Sequence, residues 1–330
     1  MTDESFVEDQ YTYDGWLVFN ELFNTEVVSD GVTIEDVIGS FPLYEGGSPN
    51  DPDAGFERTN LPSMFQNLSE IGTDFQDFAN SIRSFKYVDE DWVEEWGYDE
   101  NANEQIFYKD YHDEVDIFWD SDSQIMMFRG DKQLLGRKRE SLQAGLSGSL
   151  YLDPVNFNFD FFLWVLYKKY NKEDLSSDLR VRKLTRGKTI GEHEDNLGKR
   201  VRVEGSENIL RSLMLIAPVL AGKKIQAIQG SFLMGKHKVN AEIEHGGKVH
   251  IKVSDSPLSG LSHLRRMGIA LQFLTELIRL YNVWEGLPSN DRYPPPSFFD
   301  DLSNVAEEEG WDHQYDPENI KEEYRGKRED

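Results

Sequence analysis

The chain has no cysteine, which removes disulfides, thiolate nucleophiles, Cys-ligated iron–sulfur clusters and Cys-ligated zinc from consideration. Cations are scarce in its first part, where Met1 to Phe128 holds 31 Asp and Glu against 4 Lys and Arg. Long apolar runs are missing as well. The two longest, 157–167 and 213–222, contain Asp160 and Pro218 and are too short to span a bilayer. The first ten residues are acidic, whereas an export signal is basic and then apolar. These absences lead us to expect a soluble, cytoplasmic protein without membrane attachment.

What is present is segregated charge. Residues 129–290 carry 17 acids and 26 bases, and residues 291–330 carry 13 acids and 5 bases, within a total of −26 over 330 residues. The acid-rich composition resembles that of proteins from salt-loaded cells. A basic block between two acidic ones suits either a surface for a polyanion or two parts of one chain that face each other.

Pattern divides the chain into three expected regions: an acidic interaction region 1–104, a basic domain 105–290 and a Pro-linked acidic tail 291–330. In the first, short helices are expected around 16–23 and 33–38, and the glycines and prolines of 46–55 read as a loop. A long amphipathic helix over 61–86 follows. Asn60 is its cap, Pro62 fits its first turn, and Met64, Leu68, Ile71, Phe75, Phe78, Ile82 and Phe85 alternate at spacings of four and three. That seam suits a protein partner or a second copy, but with only three heptads and Gly72 inside the run, a helix packed within its own domain is the favoured reading. Residues 87–104, with Trp92 and Trp96 among many acids, read as a solvated connector.

Residues 105–145 read as three strands and a helix capped by Asp131. Asp153 and Pro154 are expected to open an apolar helix through Tyr170, followed by strands at 179–184 and 200–203 and a helix from Ser206 with Pro218 inside it. A strand meander over 224–253 leads to a last helix from Ser256 that ends near Gly286. The final hairpin of the meander can be registered. A three-residue loop, His245 to Gly247, pairs Ile243 with Val249 and Ala241 with Ile251 on one face, and Glu242 with His250 on the other. Strands that pair antiparallel, with helices on one face, make an α+β fold. The tail beyond Trp311 is expected to lack order.

Few residues form a catalytic pattern. Gly187-Lys188-Thr189 resembles the end of a phosphate loop, but the glycine that such a loop requires five residues earlier is Arg182. Glu192, His193, Glu194 and Asp195 are adjacent and cannot all face one metal, and Ser262 beside His263 lacks an oriented third group. No metal or cofactor is expected. A site assembled from residues such as Glu242, His250 and Asp255 leaves no signature in spacing.

One constellation remains. Arg180 and Arg182 alternate with Val181, and Arg200 and Arg202 alternate with Val201 and Val203, so pairing the two strands valine-inward puts four arginines on the outer face, with Arg186, Lys188 and Lys199 at its rim. Lys183 then points inward, which weighs against the pairing. Four neighbouring guanidiniums repel one another unless carboxylates or phosphates meet them. The expectation is therefore a non-enzymatic protein that binds DNA, RNA or another polyanion; the alternative is an adaptor whose acidic and basic parts pair within or between chains.

Overall fold

A computed structural model describes residues 15–28, 31–59, 61–66, 73–205, 209–253, 263–310 and 317–329. The chain is mixed α+β with antiparallel pairing and divides into two compact units, residues 18–154 and residues 155–330 together with 1–17. The sequence-expected break at 104/105 falls inside a hairpin of the first unit.

In the first unit, strands β1 (Leu17–Val27), β2 (Ala54–Arg58), β3 (Ile82–Tyr98), β4 (Glu104–Asp120), β5 (Ile125–Arg129) and β6 (Leu150–Pro154) run in the order β2-β3-β4-β5-β1-β6. Helices α1 (Ile34–Gly39), α2 (Leu61–Gln66), α3 (Thr73–Ser81) and α4 (Lys132–Ser147) connect them. The expected helix at 16–23 is instead strand β1. A register shift between Phe19 and Glu21 breaks its alternation of apolar residues, so the pattern mimics helical spacing. Thr33 caps α1 with a full capping box, and Asp131 caps α4 through the Gln133 and Leu134 amides. The core packs Phe41 against Phe56 and Phe85 at 5.2 and 5.4 Å between ring centroids.

The single helix over 61–86 is replaced by α2, α3 and the start of β3. Met64 lies on α2, and Leu68 and Ile71 lie outside the described residues. Phe75 and Phe78 are buried on α3, while Ile82 and Phe85 are buried on β3, so these four side chains are consumed by their own unit. Spacings of three and four near a helix–strand junction fit two elements as readily as one.

The expected connector 87–104 is the outer half of the β3–β4 hairpin, which pairs without interruption from Ile82↔Asp120 to Tyr98↔Glu104. Only its inner part is flanked: β2 reaches Phe85 to Asp89, and β5 reaches Asp116 to Asp120. Past Glu90 and His112, which the 44–53 loop still contacts, the hairpin extends as a two-stranded ribbon with no further strand pairing among the described residues, its exposed faces explaining why its sequence lacks a buried period-two pattern.

In the second unit, strands β7 (Leu179–Ile190), β8 (Arg200–Val203), β9 (Lys224–Met234), β10 (His237–Glu244) and β11 (Val249–Val253) run in the order β11-β10-β9-β7-β8. The expected hairpin register is observed, with Ile243↔Val249, Ala241↔Ile251 and Glu242↔His250, and Gly247 adopts the positive φ of 78° that the loop needs. Helices α5 (Phe159–Tyr170), α6 (Leu213–Leu220) and α7 (His263–Glu285) carry the core, and α8 (Ser289–Arg292), α9 (Pro296–Glu308) and α10 (Glu318–Glu329) follow. Asn158, not Asp153, caps α5, because Asp153 and Pro154 end β6. The expected starts at Ser206 and Ser256, and Asp255, lie outside the described residues.

The C-terminal tail is ordered where it is described. Phe298, Phe299 and Leu302 of α9 are buried, and Tyr324 of α10 donates a hydrogen bond to Asp160, which also pairs with Lys327 at 3.0 Å. Charge dominates the composition of this tail and hides the apolar stripe, Phe298, Leu302 and Val305, that docks it. Among the described residues no helix is long and apolar enough to cross a membrane.

Candidate nucleic-acid interface

Two bulges set the face of β7. Against β9 its register shifts between Val181 and Lys183 and again between Leu184 and Arg186. Val181, Leu184 and Gly187 therefore turn inward at intervals of three, and Gly187 lets Leu215 of α6 approach where a Cβ would meet it at 2.8 Å. Lys183, expected inward, is exposed because the first bulge inserts Arg182 as an extra residue.

β8 pairs only with the far end of β7, Gly187↔Val203 through Ile190↔Arg200. Its valines are buried and its arginines exposed, as the alternation requires. Arg202 lies opposite Lys188, and Arg182 and Arg180 sit about 20 and about 26 Å back along β7 at ~3.3 Å per residue. The seven sequence-selected cations thus form a strip along one strand and its neighbour, and the stretch of β7 from Leu179 to Arg186 keeps an edge that β8 does not cover.

Local carboxylates neutralise part of the strip. Asp174 grips Arg180 through two hydrogen bonds of 2.5 and 2.7 Å, which raises the guanidinium pKa and lowers that of the carboxyl. Arg202 pairs with Glu204. Lys188 reaches Glu242 at 2.6 Å and Glu244 at 3.2 Å; burial works against its charge, but the two carboxylates outweigh burial and raise its pKa. Arg182, Lys183, Arg186, Lys199 and Arg200 have no ion pair among the described residues, though Arg186 lies close enough to help hold the Glu242 pKa down.

Glu242 and His250, neighbours across β10 and β11, stand beside Lys188 on the polar face of this sheet. Burial, helped by Lys248, pushes the His250 imidazole below its ordinary value despite Glu242 and Glu244. Among the described residues its Nε2 has no hydrogen-bond partner, nor do Gln229 Oε1 and Ser231 Oγ on neighbouring β9. A neutral imidazole beside a carboxylate tied to lysine makes a polar cluster.

Gly187-Lys188-Thr189 lies within β7 rather than at a strand-to-helix turn, so its amides cannot cradle a phosphate. In the 191–199 loop, Glu192, His193 and Glu194 are exposed, whereas Asp195 turns to the buried Lys223 at 2.7 Å. Among the described residues no group of three or more acidic or histidine side chains could hold a metal ion.

Sequence reasoning missed three cations around Arg182 and turned a fourth, Lys183, inward. Lys169 and Lys172 at the end of α5, Lys183, and Arg211 on the 3₁₀ turn Ile209–Arg211 line one cavity of about 440 Å³ with it. The Lys168-Lys169 pair followed by Lys172 was visible as a basic helix end, but nothing in the sequence tied it to β7. No protein-family model matches the chain, and no curated protein matches it.

Proposed function

We propose that this chain is a non-enzymatic polyanion-binding protein that meets a nucleic-acid backbone with the cations of β7 and β8. The observation that carries the reading is selective neutralisation. Arg180, Lys188 and Arg202 are each held by local acids, while Arg182, Lys183, Arg186, Lys199 and Arg200 lack an ion pair among the described residues. Edge strands commonly carry Lys and Arg to prevent aggregation, but four cations without an ion pair among the described residues on two neighbouring strands, with Lys199 beside them, exceed that need.

Binding through about four phosphate contacts weakens on duplex DNA by roughly three to four orders of magnitude per tenfold rise in salt. Fluorescence anisotropy with duplex DNA, single-stranded DNA and RNA across a salt series checks this. Absence of binding to all three at the lowest salt removes the proposal.

An adaptor role is the second reading, favoured by the β3–β4 ribbon. Trp96 is 74% exposed and Tyr98 66%, and they share one face with Ile106 and Tyr108. Exposed aromatics interleaved with Glu94, Glu104 and Asp110 suit a protein partner better than a phosphate backbone. Crosslinking mass spectrometry that finds no contact at the ribbon would remove this reading.

A further inference from the structure

The cavity beside Arg182 is built from four elements: the end of α5, the bulged edge of β7, the 3₁₀ turn and α9. Five cations line it (Lys169, Lys172, Arg182, Lys183 and Arg211) with Tyr170 among them, and no carboxylate of the described residues does so. At about 440 Å³ it falls within the ~300–1,000 Å³ span of small-molecule clefts. Lys169 is fixed in place, its Nζ donating to the Arg182 carbonyl at 2.8 Å.

Two ordinary explanations account for some of this charge. Lysines complement the partial negative charge at the end of α5, and cations protect an open strand edge. Lys168 and Lys169 satisfy the first, and Arg182 and Lys183 the second. Neither calls for Arg211, and the first is already met by Lys168 and Lys169 without a lysine at position 172.

Lys172 carries the stronger argument. Its amide donates to the Lys169 carbonyl at 3.2 Å, and the Glu173 amide donates to the Lys168 carbonyl at 2.9 Å, which together close the helix as a Schellman motif. Lys172 occupies the left-handed position of that motif, with φ of 61°, where glycine is the usual residue. A lysine there strains the backbone, and its side chain, which lines the cavity, makes no hydrogen bond or ion pair among the described residues.

A half-open cavity lined by four elements can seat the end of a molecule. Five cations also match a phosphate monoester dianion better than the single charge of an internal diester. Asp301 and Glu308 act on Tyr170, whose pKa burial and these two acids raise, so its hydroxyl keeps its proton as a donor; neither acid lines the cavity.

We propose that this cavity binds the terminal phosphate of a nucleotide, either free as a nucleoside monophosphate or at the phosphorylated end of a nucleic-acid strand. The nucleotide part of this inference rests on the polyanion reading above.

Calorimetric titration of the full chain at low salt tests it, with AMP, adenosine, inorganic phosphate, and one short thymidine strand with and without a 5′-phosphate. AMP binds and adenosine does not, and the phosphorylated strand binds about tenfold more tightly than its unphosphorylated twin. Lys172→Gly and Arg211→Gln each remove most of that difference, Lys172→Gly raises Tm, and Arg200→Gln leaves the difference intact.

If both strands bind equally and AMP does not bind, the cavity proposal fails while the polyanion reading stands. If AMP binds with the expected loss in Lys172→Gly but neither strand binds, the strand reading fails and the cavity stands. If no phosphate probe binds, both fail.

Discussion

The two units handle positive charge in opposite ways. Residues 18–154 contain 9 Lys and Arg among 29 acids. Six of those cations are ion-paired among the described residues: Arg83, Lys86, Arg129, Arg137, Lys138 and Arg139. Residues 155–330 hold 26 bases and 27 acids, yet their near-balance is not local. Cations without an ion pair among the described residues gather along β7, β8 and the cavity, while many of the compensating acids lie in 291–330. The early part of the basic block, Arg129 to Arg139, is thus satisfied by the acidic first third, and the later part is not. Net charge alone could not have separated them.

Substitutions can break or sharpen this contrast. The largest effects should come from the cores, where charge plays no part. Trp119 is 1% exposed in the first unit and Trp284 2% in the second, and their indole nitrogens donate to Thr25 Oγ1 and the Arg292 carbonyl. Trp119→Ala and Trp284→Ala should each cost about 3–5 kcal/mol by denaturant titration. Trp96→Ala, on the ribbon, should stay within about 0.5 kcal/mol.

Next comes a paired cation of the first unit. Lys138 reaches Asp89 at 2.5 Å with both side chains mostly covered, so Lys138→Ala should cost about 1–3 kcal/mol and leave anion binding unchanged. Lys172→Gly has the opposite sign, stabilising by up to about 1 kcal/mol as left-handed strain is relieved.

The smallest effect is a pH slope. The folded-state pKa of His250 is depressed from 6.5, so the unfolded chain takes up its proton first, and the stability contribution present above pH 6.5 is lost as pH falls through the folded value. Lys188, Lys248, Glu242 and Glu244 face this imidazole. Glu242, depressed from 4.5, contributes its own loss only below that pH. His250→Gln should flatten the stability profile just below pH 6.5 and leave the acidic limb in place.

Legibility in the sequence followed burial on one face. The β10–β11 register could be read because Ala241, Ile243, Val249 and Ile251 alternate with polar residues, so a slip of one position would expose them all. The capped helices α1 and α4 were readable from Thr33 and Asp131. The outer ribbon was not, because both its faces are exposed and no alternation marks it. The strip of arginines was recognised by type and alternation, but the bulges at Arg182 and Thr185 changed which residues share a face. The cavity was invisible, since Lys172, Arg182 and Arg211 meet only through the fold.

The most direct test is charge reversal at unpaired against paired positions, read by anisotropy with one DNA probe at low salt. Arg182→Glu with Lys183→Glu should weaken binding by more than about tenfold relative to Arg180→Glu, whose parent side chain is already held by Asp174. Equal losses in the two variants, or no loss in either, would contradict the claim that unneutralised cations on β7 are what this protein offers to a polyanion.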